Sequence, residues 1–180
     1  MGRVKTRLAR DIGAVAATQF YRHNVGNILR RLGRDPRWTS WLSLSPDSAV
    51  TNRAFWPSNF QPFPQGGGDI GERMDRSLRT PPPGAVVVIG TDVPAIETHH
   101  IESAFKALGR HDAVFGPAED GGYWLVGARR SPTTPDLFSG VRWSSPFTLS
   151  DTLVRLEKTS LKIALLDTLS DVDNGEDYFR

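Results

Sequence analysis

Cysteine is absent from the 180-residue chain. That absence excludes disulfides and thiolate metal sites, and removes one common argument for secretion. No apolar run is long enough to span a membrane, and the start carries no signal-peptide pattern. The default expectation is a cytoplasmic protein with no membrane partner. The zinc-protease pattern HExxH is missing, and the four histidines do not form a zinc site. His99 and His100 are adjacent and, on a helix, are expected to point apart. The phosphate-loop pattern GxxxxGK[ST] is missing as well, and there is no internal repeat.

What remains describes a folded domain. Apolar residues make up 38% and charged residues 23%, and the length suits one domain spanning 1–180 with a real core. The formal net charge of +2 conceals an asymmetry. Residues 1–37 carry nine Lys or Arg against two Asp or Glu, whereas the rest carries 13 against 18. A basic front end suits nucleic acid or a phosphorylated small molecule. Single-strand binders interleave aromatics with their cations, and this segment has only Phe20 and Tyr21. Small-molecule phosphate is the better reading, with no nucleic-acid partner.

The strongest strand signal is Val86-Val87-Val88-Ile89, which breaks at Gly90 into Thr91-Asp92-Val93-Pro94. A short unbroken β-branched run predicts a strand buried on both faces, as in parallel sheets. Upstream, GRVKTRLAR reads as a loop leading into a helix from about Asp11 to Leu32, with apolar residues at three- and four-residue steps. A strand is expected over 38–44, a turn or short helix after it, and a strand near Phe60–Phe63 that Pro62 interrupts. Asp69 predicts a cap for a helix over 70–78, and Thr98 a cap for one ending at Gly109. Short strands follow at 113–115, 123–126 and 161–166, with a helix around Leu149–Leu156 between the last two. Alternation of this kind predicts an α/β fold around a mostly parallel sheet, with helices on both faces.

Several residues stand where chemistry is done. Sheets of this type bind ligands beyond the carboxyl ends of their strands, where Asp92 lies. A carboxylate there suits Mg²⁺ or Mn²⁺, which take oxygen ligands and share them with phosphates; the plainer reading is an Asx-turn over Val93-Pro94. Arg3, Lys5 and Arg7 with Thr6 suit an anion ahead of a helix start, or form a solvated basic segment. Glu119 and Asp120, followed by Gly121 and Gly122, suit a general base or a hydroxyl-orienting group beside a close-approach backbone, or an ordinary turn. Asp171 and Asp173 offer further metal carboxylates, and Asp173 with Glu176 also reads as a capping box.

In order along the chain, GRVKTRLA, QGGGDIGERM, GTDVP, HDAVFGPAEDGGYWLVG, WSSP and DVDNGED resemble the bacterial glycosyltransferase-like proteins associated with radical-SAM and selenodomain proteins. The resemblance implies a Rossmann-like α/β/α sandwich of the nucleotide-diphospho-sugar transferase (GT-A) kind, distantly related to guanylyltransferases. It implies that Asp92 binds the metal and that Asp171 and Asp173 approach the same ion. It implies that Arg3, Lys5 and Arg7 lie near nucleotide phosphates, that Gln65, Gly71 and Arg73 flank the nucleotide, and that Gly121 and Gly122 border it. Glu119 or Asp120 would serve the acceptor.

The family pattern also places an apolar strand and a Lys-x-Pro turn before GRVKTRLA, where this chain has Met1-Gly2. The expectation is a sheet lacking a central strand, with exposed edges and weakened nucleotide binding. The function expected is a metal-dependent transfer from an activated nucleotide, foremost a nucleoside-diphosphate sugar, to a small-molecule acceptor. The alternatives are a nucleotidyltransferase releasing pyrophosphate and a non-catalytic nucleotide-binding module.

Overall fold

The N-terminal segment folds into two helices where one was expected. In the computed structural model, which describes residues 5–179, α1 (Thr6–Ile12) and α2 (Ala14–Leu32) are separated by Gly13 at φ 87°. That left-handed backbone is open to glycine at little cost, so the break falls there. The helix therefore begins inside the segment read as a loop. Ala17, Asn24, Ile28 and Leu32 face inward along α2, and Leu8 is fully buried beneath α1.

Two sheets form the scaffold. β1 (Ser40–Leu44) pairs in parallel with β2 (Phe60–Pro64), in a register that sets Leu42 opposite Pro62. Two prolines, which have no N–H to donate, are tolerated in β2 because among the described residues it pairs on one side only. Residues 47–55 between them form two short 3-10 turns. The larger sheet contains β3 (Val86–Ile89), β4 (Ala113–Pro117), β5 (Tyr123–Ala128) and β6 (Ile163–Leu165), in the order β3-β5-β4-β6.

Three of those four strands run one way, as expected of a mostly parallel sheet. β5 runs against both neighbours. The cause is the short link between Pro117 and Tyr123, which can only return the chain beside itself; a parallel partner needs a crossover of a dozen or more residues.

The helices cover both faces. On one, Val114 and Leu125 pack with Ile28 and Leu32 of α2 and with Ile101, Ala104 and Leu108 of α4 (Thr98–Leu108). On the other, Phe115, Val126 and Ala128 meet Leu78 of α3 (Ile70–Arg79), Leu137, and Leu156 of α5 (Thr148–Leu156). The result is a single α/β domain in layers. Among the described residues, no helix is long and apolar enough to cross a membrane.

Some local expectations change. Asp69 caps α3 as expected, and the Glu72 side chain accepts the Asp69 N–H in return, which makes a capping box. On α4 the cap is Glu97, one residue before Thr98, and the His100 Nδ1 accepts the Glu97 N–H at 2.9 Å. That fold-back brings the His99 and His100 rings to 3.9 Å between centroids instead of pointing them apart. Burial, then the neighbouring His99, hold His100 below the usual histidine range.

The largest departure is β3. Its four residues are only half-buried, because the strand ends the sheet order and borders a cavity of about 1170 Å³. Every residue of β1 and every residue of β3 lines that cavity. A strand presenting a face would contribute alternate residues, so consecutive lining shows two strand edges turned toward the same space. Among the described residues, no strand pairs with either edge.

Candidate functional site

Asp92 sits in a loop fastened on three sides. Gly90 prolongs the β3 ladder by donating to the Trp124 carbonyl at 2.9 Å, and Val93 and Ile96 are buried as anchors. From α2, the Asn24 side-chain amide donates to the Thr91 carbonyl at 2.8 Å and Arg31 Nη1 to the Ile96 carbonyl at 2.7 Å. Gly90 also clears space for the carboxylate: a Cβ on it would lie 2.6 Å from Asp92 Oδ1.

The acidic tail reaches this loop by running alongside the end of β4. Leu169 donates to the Pro117 carbonyl at 3.1 Å and accepts from Glu119 N–H at 3.3 Å, in a parallel bridge with Ala118. Val172 N–H then donates to the Asp92 carbonyl at 3.1 Å, which locks tail to loop. Beyond it, α6 (Gly175–Phe179) is held against α1 by the Gly175 N–H on Asp11 Oδ2 at 2.7 Å. The expected Asp173–Glu176 cap is replaced by one a residue later. The Asn174 side chain accepts from Asp177 N–H, and the Asp177 side chain accepts from the N–H groups of Asp173 and Asn174. Asp173 thus keeps its carboxylate for other partners.

Asp92, Asp171 and Asp173 each offer one oxygen within 4.8 Å of the others, and all three are half-buried. Lys5 completes the group. Its side chain is 9% exposed, with Nζ 2.5 Å from Asp173 Oδ1 and 3.4 Å from Asp92 Oδ2. Arg7 Nη1 lies 3.7 Å from Asp173 Oδ2 on a side chain that is mostly in solvent. Arg3 lies outside the described residues. Burial first, then the carboxylates of Asp120, Asp173 and Asp92, push the Asp171 carboxyl up to about 6. An all-carboxylate set with that much mutual repulsion suits a hard divalent cation such as Mg²⁺ or Mn²⁺. The residues present fit one.

The other candidates divide. Asp120 is near enough to act on Asp171, and its Oδ1 accepts Gly122 N–H at 2.8 Å. Gly121 has φ +87°, and a Cβ there would strike the Pro146 carbonyl oxygen at 2.1 Å, so the turn is packed against the 143–147 segment. Glu119 is exposed on the same turn. Gln65 and Arg73 line the cavity together with Lys5 and Asp92. The Gln65 carbonyl accepts from Arg76, and Arg73 Nε donates to the Gly68 carbonyl at 3.0 Å, so both arginines shape the glycine-rich loop. Gly71 lies under the Trp143 indole, 2.4 Å from where its Cβ would be, and is a packing residue. Sequence reasoning passed over Asn24 and Arg31. A buried asparagine on an otherwise apolar helix face was the available signal.

Comparison with known proteins identifies the family and the fold. Residues 28–145 match the family described as uncharacterized proteins conserved in bacteria, DUF2064. Among solved structures the chain is similar to a protein of Desulfovibrio desulfuricans G20 described provisionally as a nucleotide-diphospho-sugar transferase. The TM-score is 0.86 at 31% identity, covering 96% of this chain and 77% of that one. It is also similar to Rv0371c of Mycobacterium tuberculosis H37Rv, with a TM-score of 0.57 at 13% identity over 87% of this chain and 82% of that one, a likeness of fold alone. No curated protein matches it. From matched sequence and shared fold, the chain belongs to the bacterial DUF2064 family and has the nucleotide-diphospho-sugar transferase fold.

Proposed function

We propose that this chain transfers a group from an activated nucleotide, foremost a glycosyl group from a nucleoside-diphosphate sugar to a small-molecule hydroxyl. The observation that carries the reading is the meeting of Asp92, Asp171 and Asp173 with Lys5, beside a cavity bordered by Gln65 and Arg73. Asp92 lies beyond the carboxyl end of β3 and Gln65 beyond that of β2, where ligands of α/β sheets bind.

Asp92, Asp171 and Asp173 would hold Mg²⁺ or Mn²⁺, which when bound offsets negative charge on a leaving diphosphate. Lys5 and Arg7 add positive charge for the same phosphate oxygens, and Arg3 is assigned there with them. Gln65 and Arg73 would border the nucleotide, and Gly121 and Gly122 allow a ligand close to the turn backbone. Asp120, with Glu119 on the same turn, orients the acceptor hydroxyl and takes its proton as the acceptor oxygen bonds to the sugar carbon and the diphosphate departs.

The facing edges of β1 and β3 support the expectation that an apolar strand belongs between them. Such a strand would pair on both sides, join the two sheets and satisfy their free backbone groups. The cavity, at about 1170 Å³, exceeds the roughly 300–1,000 Å³ of ordinary small-molecule sites.

The test is product analysis with labelled nucleotide sugars and Mn²⁺. Release of a nucleoside diphosphate with a glycosylated acceptor is the expected result. Release of pyrophosphate from a nucleoside triphosphate would instead identify a nucleotidyltransferase. Absence of nucleotide binding in calorimetry with Mn²⁺, in this chain and in one carrying the added strand, would remove both enzyme readings.

A further inference from the structure

We propose that Lys5 is a built-in competitor for the cation position, which must leave the carboxylates for a divalent ion and moves onto the diphosphate of the nucleotide as it does so. This rests on the metal-site reading above. The case is geometric. Lys5 Nζ touches two of the three carboxylates that define the site, at 2.5 Å and 3.4 Å. Carboxylates hold divalent ions of this kind at about 2.0–2.6 Å. A divalent ion on the same groups would face the ammonium at close range, and at about 4 Å even bulk water leaves such charges a repulsion worth roughly thirtyfold in affinity.

The backbone can stay in place while the ammonium moves. Lys5 sits at the head of α1 with φ 50°, its carbonyl accepts Ala9 N–H at 2.9 Å, and Leu8 anchors the helix in the core. The flexible four-carbon stem then supplies the reach. Among the described residues no other cation serves as well: Arg7 is 73% exposed and approaches Asp173 only at 3.7 Å.

Lys5 therefore opposes metal alone and favours metal with diphosphate. By linkage the two ligands bind with positive cooperativity, each raising the other's affinity by one factor. The ammonium acts as a positioning group whose partner changes from carboxylate to phosphate.

Lys5→Met keeps the length and removes the charge, and Lys5→Arg keeps the charge. Mn²⁺ binding is followed by electron paramagnetic resonance in the full chain, and inorganic pyrophosphate binding by calorimetry at saturating Mn²⁺. Screening by salt reduces the effect, so the expected result for Lys5→Met is Mn²⁺ binding roughly tenfold tighter and pyrophosphate binding roughly tenfold weaker. Lys5→Arg should follow the parent chain in Mn²⁺ affinity. A residue that merely supports the site would weaken both ligands together. Unchanged or weaker Mn²⁺ binding in Lys5→Met, with its thermal midpoint preserved, overturns the inference while leaving the metal site standing, provided Asp92→Asn abolishes binding. If the parent chain itself binds no Mn²⁺, the metal-site reading falls and the inference falls with it.

Discussion

Replacing Asp171 by asparagine should stabilise the metal-free chain while damaging the site. The Asp171 carboxyl is pushed up to about 6 from its ordinary 3.8, first by burial and then by the charges of Asp120, Asp173 and Asp92. Between those values the folded state holds more protons than the unfolded one, so stability falls as pH rises from 3.8 to 6. Two pKa units correspond to about 3 kcal/mol. The group is only half-buried, so solvent screening reduces this to about 1–1.5 kcal/mol.

Asp171→Asn removes that ionisation. At pH 7.5 in chelator it should raise the melting temperature by about 2–4 °C per kcal/mol for a chain of this size. Its stability should also vary less between pH 4 and 6 than that of the parent. With saturating Mn²⁺ the order should reverse, because the ion stabilises only the folded chain that binds it well. Thermal unfolding by circular dichroism across pH, with and without Mn²⁺, reads all three. A variant less stable than the parent in chelator at pH 7.5, or one that keeps the full pH slope, would refute the assignment of strain to Asp171.

Three other outcomes follow from the same geometry. Gly90→Ala places a methyl group 2.6 Å from Asp92 Oδ1, pushing that carboxylate off the site, and should weaken Mn²⁺ binding by about tenfold, or about 1.4 kcal/mol, at little cost in secondary structure. Asn24→Ala leaves the Thr91 carbonyl without its 2.8 Å donor and should lower stability by about 1–3 kcal/mol in urea unfolding, with a parallel loss of Mn²⁺ affinity. Gly121→Ala combines φ +87° with a clash on Pro146 and should destabilise by at least about 1–2 kcal/mol; a neutral result would mean the turn is not packed there.

Much of this was open to reading from the residues. The VVVI run, the Asp69 cap and the face of α2 are local patterns, and each forms where the sequence places it. The reversal of β5 was legible too, since the link after Pro117 is too short for a crossover, although alternation suggested otherwise. The family resemblance implied that Asp171 and Asp173 meet Asp92, but no local pattern encodes that meeting, which depends on Leu169 running beside Pro117 and Glu119. Half-burial of β3 was hidden for a similar reason. A β-branched run reports what a strand can bury, and its neighbours decide what it does bury.

The bond between Lys5 and Asp173 joins residues 168 positions apart in the sequence. Contacts of such separation close the longest loops and form late, after local helices and hairpins. During synthesis, Asp92 and its loop emerge while the strand-like stretch before Asp171 is still unmade. Assembly of the cluster thus waits for the segment that carries Asp171 and Asp173, and a product cut before Asp171 has no means of gathering the three carboxylates.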